Sequence, residues 1–255
     1  MNKLATMYWE RDGRVEILTL SRPQVLNAMN VQMIYDFNTA FDEIAKSDAS
    51  VLVIKGEGRS FCSGLDLQEL SSDRMEVADF DTRGQNAFFK LEAMDKIVIA
   101  AMQGHAIGGG LQLALACDLR IATEELICSL PAAQEAIMPG LSVMRLPRFI
   151  GLGRAKRLIL TGEQLSGGQA YDLGLVDFLT PAVAFNRKVL EVVQFMSQAT
   201  SFGTIQCKLS MNRSYDLPRE AYLAEYYARM AACVEHPDHA EAKRALLEKR
   251  PAAWS

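Results

Sequence analysis

Three consecutive glycines, Gly108-Gly-Gly110, carry the strongest chemical hint in this chain. They follow the mostly apolar run Ile97–Gln103, which reads as a strand, and a helical stretch begins at once. Glycine has no Cβ, so the backbone here can pass very close to another group. A helix opening at such a point directs unpaired N–H groups and the positive end of its dipole forward, which suits an oxyanion or another electron-rich oxygen. The first side chain of that helix able to take part in chemistry is Gln112. A second turn of small residues, Ser60-Phe-Cys-Ser-Gly-Leu-Asp-Leu67, also follows a buried apolar run. Two strand ends with free N–H groups can converge on one carbonyl oxygen, the geometry that an acyl oxyanion needs. The triplet alone serves equally as a tight packing turn, and it matches no phosphate-loop or dinucleotide fingerprint.

Around these turns the pattern alternates strands and helices. Val15–Leu20 reads as a strand, and Asn30 can cap a helix carrying Ile34, Phe37, Phe41 and Ile44 at helical spacing. Val51–Ile54 is a continuous apolar run of the kind buried in parallel sheets. Residues 67–83 are polar and read as a mobile surface segment, with a helix at about Gly84–Met94. A strand over Leu119–Ala122 follows the glycine-rich turn. This order predicts an α/β layer with right-handed crossovers. From residue 143 the pattern is mainly helical. It includes a stretch over Ala155–Leu160, a helix near 168–173, a short strand at 175–179, and helices near 184–199, 203–214, 218–233 and 238–249. The expected division is a core over residues 1–195 and a helical region over 196–255.

Composition narrows the function. The chain has 255 residues, 49% apolar and 23% charged, with a formal net charge of −4. No basic stripe suggests nucleic acid, no apolar run has the length of a membrane span, and Met1–Glu10 lacks the apolar core of a secretory leader. Five cysteines at 62, 117, 128, 207 and 233 form no Cys-x-x-Cys pair, which suggests reduced thiols in a cytoplasm and no structural zinc.

The motifs together resemble the crotonase, or enoyl-CoA hydratase/isomerase, superfamily. The resemblance rests on Ser21-Arg-Pro-Gln-Val-Leu-Asn-Ala28, Ser60–Leu67 and Gln103-Gly-His-Ala-Ile-Gly-Gly-Gly110. It continues in order with Cys117-Asp118, Pro139-Gly140, Leu160-Thr-Gly162, Ala170-Tyr-Asp-Leu-Gly-Leu-Val176 and Glu248-Lys-Arg-Pro251. It implies a crotonase-type spiral of ββα units with a C-terminal helical trimerisation region, often assembled as a dimer of trimers. It also implies an acyl-CoA thioester, with coenzyme A arriving as part of the substrate and no prosthetic group. The thioester carbonyl would be held by the N–H groups of Leu65 and Gly109. Val25, Leu26, Ala28 and the turn Cys62, Ser63, Gly64 and Asp66 would line the coenzyme, beside Gly108.

The departures from the family pattern decide the expected chemistry. Family hydratases carry two glutamates that hold and deprotonate water, and the matching positions here are Gln112 and Ala132. Some members use an aspartate where this chain has Gly140. Losing a general acid–base commonly costs about 10²–10⁴-fold in rate, so efficient hydration is not expected. Isomerisation, decarboxylation or another lyase reaction remains open, as does an acyl-CoA binding protein without catalysis. Glu135 is either a solvated loop acid or, on a bulged loop, a carboxylate near the α-carbon. His105 is either a hydrogen-bonded structural residue or an acid–base. Asp66 suits ordering its own turn, and Cys62 and Ser63 lack a recognisable base. His236 and His239, without a third ligand, suit a helix-capping turn better than a metal. Met94, Met102, Met138 and Met144 could line an adaptable acyl pocket or pack the core.

Overall fold

The computed structural model describes residues 1–70 and 76–255. Strands β1 (Asn2–Lys3), β2 (Met7–Asp12) and β3 (Val15–Leu20) open the chain and pair antiparallel. Helix α1 (Val31–Ala45) and strand β4 (Val51–Gly56) follow, then the short α2 (Leu67–Leu70) and the long α3 (Val77–Ala93). The centre holds β5 (Ile97–Met102), β6 (His105–Ile107), α4 (Gly109–Leu115), β7 (Leu119–Thr123) and β8 (Ile127–Ser129). Beyond it lie α5 (Ser142–Ile150), α6 (Leu152–Thr161), β9 (Leu165–Ser166), α7 (Gly167–Asp172) and β10 (Phe178–Thr180). The chain ends in α8 (Phe185–Ala199), α9 (Phe202–Arg213), α10 (Arg219–Glu235) and α11 (Pro237–Glu248).

Among the described residues the strands form two sheets. The larger has the order β1-β2-β3-β4-β5-β7-β10, and the smaller β6-β8-β9. Val51 lies opposite Ile97 in the parallel β4–β5 pair. The unbroken apolar runs exist because both faces of this sheet are covered. Val51, Val53, Ile97, Ile99 and Ile121 meet Phe185, Val192 and Val193 of α8 and Ile205 of α9. Leu52, Ile54, Val98, Ala100 and Met102 point the other way, into the core with Phe37, Phe41, Phe88 and Leu91. Asn30 caps α1 as expected, its side chain accepting from Met33 N at 3.0 Å.

Four expectations need correcting. The run into the glycines is two strands in two different sheets. Gly104, at φ +66°, turns the chain between them, and a side chain there would collide with the Arg59 carbonyl. Second, the polar stretch holds structure: α2 lies in it, and α3 starts at Val77, a full two turns before Gly84. Residues 71–75 of that stretch lie outside the described residues. Third, the division expected at residue 196 falls inside α8, whose Val192 and Val193 pack on the sheet. Fourth, the expected C-terminal strand starts three residues later and ends one residue later than its apolar pattern suggested, as β10 beside β7.

Candidate active site

Cys62 pairs in parallel with Ala106 of β6. Cys62 N–H donates to His105 O at 2.9 Å, and Ile107 N–H donates back to Cys62 O at 3.1 Å. Continuing that register brings Gly64 beside Gly108 and Leu65 beside Gly109. A methyl group on Gly64 would stand 2.8 Å from Ile107 O and 3.7 Å from Gly108 Cα. Gly64 (φ +97°) and Gly108 (φ +51°) adopt backbone that favours glycine. The approach is closest two residues beyond Gly108, where a side chain at Gly110 would strike Cys62 O.

Two N–H groups are left over by this arrangement. Met29 pairs with Leu65 by donating to Gly64 O at 2.7 Å and accepting from Asp66 N at 2.9 Å. Leu65 N–H therefore points away from Met29. Gly109 is the first residue of α4, where an N–H has no partner within the helix. Neither group donates to any described residue.

Both residues line a cavity of about 470 Å³. Val25, Ala28, Ser63, Gly64, Asp66, Gly108, Gln112, Ala132 and Glu135 line it too. Its apolar surface includes Ile34, Phe80, Phe88, Ile137 and Met138. Leu26, Cys62 and His105 do not line it. Leu26 supports the turn by accepting from Ser63 N at 3.0 Å. Burial pushes the Cys62 thiol up to about 12, so it is not a nucleophile near neutral pH. The His105 ring bonds Ser60 Oγ at 2.9 Å, the structural alternative of its two readings. Of the four methionines considered, only Met138 reaches the cavity.

The cavity carboxylates differ in setting. Asp66 accepts from Arg22 Nη2 at 2.9 Å and from Gln68 N at 3.2 Å, which orders its own turn. Glu135 sits at the exposed end of a 3₁₀ turn, Pro131–Glu135, and has no partner among the described residues. Asp81 of α3, absent from the sequence-derived candidates, also lines the cavity and is half-buried. Its Oδ1 accepts from Gln85 Nε2 at 3.0 Å. The same Nε2 donates to Gln112 Oε1 at 2.9 Å. Far from the cavity, His236 caps α11 by accepting from Asp238 N at 3.2 Å. Among the described residues no cluster of metal-ligating side chains occurs, and no helix is long and apolar enough to cross a membrane.

A cavity with apolar walls and two convergent, unpaired N–H groups can hold the carbonyl of an acyl group and stabilise charge that develops on it. The family model for enoyl-CoA hydratase/isomerase matches residues 10–255. The chain belongs to that family. Over 253 residues it is 30% identical to the short-chain-enoyl-CoA hydratase of Clostridium acetobutylicum, covering 97% of both chains. It is 32% identical to the 2,3-dehydroadipyl-CoA hydratase of Escherichia coli, covering 94% of both. The crystal structure of enoyl-CoA hydratase from Bacillus anthracis superposes with a TM-score of 0.91 at 27% identity, covering 98% of both chains. As a member of the enoyl-CoA hydratase/isomerase family, the protein has the crotonase fold and acts on an acyl-CoA thioester.

Proposed function

We propose that this family member works through a thioester enolate held by Leu65 and Gly109 N–H, and that it isomerises, decarboxylates or cleaves its substrate rather than hydrating it efficiently. The observation that carries the reading is the pairing of two unengaged N–H groups with an amide at Gln112 and a methyl group at Ala132 in the same cavity. An oxyanion donor of this kind contributes roughly 3–4 kcal/mol to the transition state. An amide cannot accept a proton from water near neutral pH, and Ala132 has no group to do so. Decarboxylation makes its enolate without any base, and isomerisation needs only one. Coenzyme A enters and departs as the thioester-bound part of the substrate, not as a resident cofactor.

Purified protein offered crotonyl-CoA and a panel of 3-enoyl and carboxyacyl thioesters tests the proposal, with binding and turnover read together. Turnover of a 3-enoyl or carboxyacyl thioester with slow hydration of crotonyl-CoA is expected. Fast hydration would contradict the reading of Gln112 and Ala132. Tight binding with no turnover of any thioester would leave a binding protein.

Self-association as a trimer or a dimer of trimers is part of the proposal. It is supported by α10, which buries none of its residues although it carries Tyr226, Tyr227, Met230 and Val234. Sedimentation equilibrium is expected to give a multiple of three chains, and a monomer would contradict it.

A further inference from the structure

With Gln112 and Ala132 unable to move a proton, the cavity needs another group for any reaction that starts by enolisation. Three polar side chains converge beside Gly140, where an added methyl group would collide with Gln112 Oε1, Gln85 Nε2 and Asp81 Oδ1. Gly140 is the position at which the resemblance implied a carboxylate in some relatives, and that space is filled here from α3 (Asp81, Gln85) and α4 (Gln112).

The hydrogen-bond directions in the cluster have a single solution. Arg145 possesses only donors, and its Nη1 lies 2.7 Å from Gln85 Oε1. Gln85 Nε2 must then donate, and its two hydrogens serve Asp81 and Gln112. Arg145 is itself fixed by Glu92, with Nε at 2.6 Å and Nη2 at 3.1 Å from the two carboxylate oxygens. Asp81 is therefore held through one oxygen by a buried chain of side chains. Its Oδ2 has no partner among the described residues. Gln112 stands three residues from Gly109 on α4, and helical side chains lean toward the helix N-terminus. The cluster thus lies over the end of α4 that carries the free Gly109 N–H.

We propose that Asp81 is the acid–base residue of this site, a role that rests on the enolate reading above. In an isomerisation, Asp81 Oδ2 takes the proton from the α-carbon of a 3-enoyl thioester. The C–H electron pair moves into the Cα–C(O) bond, and the carbonyl π pair moves onto the oxygen facing Leu65 and Gly109. The protonated Asp81 then returns its proton to the γ-carbon as the charge flows back from oxygen, leaving the 2-enoyl thioester. Only a proton is relocated, and no co-reactant enters. Glu135 also lines the cavity, but it is exposed and no side chain among the described residues fixes its geometry, whereas general base catalysis depends on a positioned group.

Deuterium incorporation at the α-carbon of butyryl-CoA in D₂O measures this step without a completed reaction. Mass spectrometry would follow wild type, Asp81→Asn, Asp81→Glu and Glu135→Gln, with butyryl-CoA affinity measured for each. Wild type is expected to exchange. Asp81→Asn should lose about 10²–10⁴-fold with affinity retained, and Asp81→Glu should recover part of the rate. Exchange by Asp81→Asn at the wild-type rate would overturn the proposal and leave the enolate reading standing. A loss confined to Glu135→Gln would move the role to Glu135. Wild type that binds butyryl-CoA yet exchanges nothing would overturn the role of Asp81, and only an accompanying failure to turn over any carboxyacyl thioester would overturn the enolate reading as well.

Discussion

At the residue scale, the division of labour is between backbone and side chain. In the proposed mechanism Leu65 and Gly109 contribute N–H groups that no substitution short of proline removes, whereas Gln112 and Ala132 set what can be done with the bound carbonyl. Gln112→Glu with Ala132→Glu is expected to raise crotonyl-CoA hydration about 10²-fold or more. A glutamate at 112 would still accept the Gln85 N–H, so the existing network suits it. Unchanged hydration in that double variant would show that the cavity is shaped against water attack by more than these two residues. The meeting of the two turns at one cavity was legible in the sequence, because glycine and small-residue turns after strands have a direct geometric meaning. Asp81 was not legible. Its neighbours Asp79, Thr82 and Arg83 face solvent, and charge on that outer face hid the apolar spacing of Phe80, Ala87, Phe88 and Leu91.

At the element scale, Gly84 shows why α3 was read too short. Glycine costs a helix interior about 1 kcal/mol relative to alanine, so it suggested a helix start. In the structure α3 runs through it, with Ile34 of α1 only 3.5 Å from where a Cβ would stand. Tertiary packing overrides the local preference. The C-terminal helices, by contrast, were legible to within one or two residues, because their caps and breaks (Ser201, Pro218, Pro237) are local signals. Helix α9 is tied to the sheet by the buried Lys208. Its Nζ donates to Leu91 O at 3.1 Å and Lys96 O at 2.7 Å and lies 2.9 Å from Asp118 Oδ2. Burial pushes the Asp118 carboxyl upward, and Lys208 opposes that shift. Lys208→Met should therefore strand a buried carboxylate and destabilise the fold by about 3–5 kcal/mol. Thermal unfolding checks this, and an unshifted midpoint would contradict it.

At the scale of the whole molecule, the last residues fold back onto the helical region. Trp254 Nε1 donates to Gln198 O at 2.7 Å, and Ser255 N donates to Asp238 Oδ1 at 2.9 Å. Ala253 N donates to Glu241 Oε1 at 2.9 Å. Hydrogen bonds from Arg250, first of all, and from Ala253 hold the Glu241 carboxyl down at about 2, from an ordinary 4.5. A carboxyl depressed in the folded state stabilises it fully above its unfolded value, and that contribution fades as pH falls through the folded value. The tail is thus expected to detach as pH drops from about 4.5 toward about 2. Fluorescence of Trp254 in a Trp9→Phe background reports it. A signal that is flat over that window while far-UV circular dichroism also holds would contradict the account.

The proposed mechanism turns on the two unengaged N–H groups holding the thioester oxygen. A crystal structure of the protein with a bound acyl-CoA tests it most directly. The thioester oxygen is expected at roughly 2.7–3.1 Å from both Leu65 N and Gly109 N, with the acyl chain running past Gln112 toward Asp81. A thioester oxygen bonded to neither nitrogen, with the acyl chain elsewhere, would contradict it.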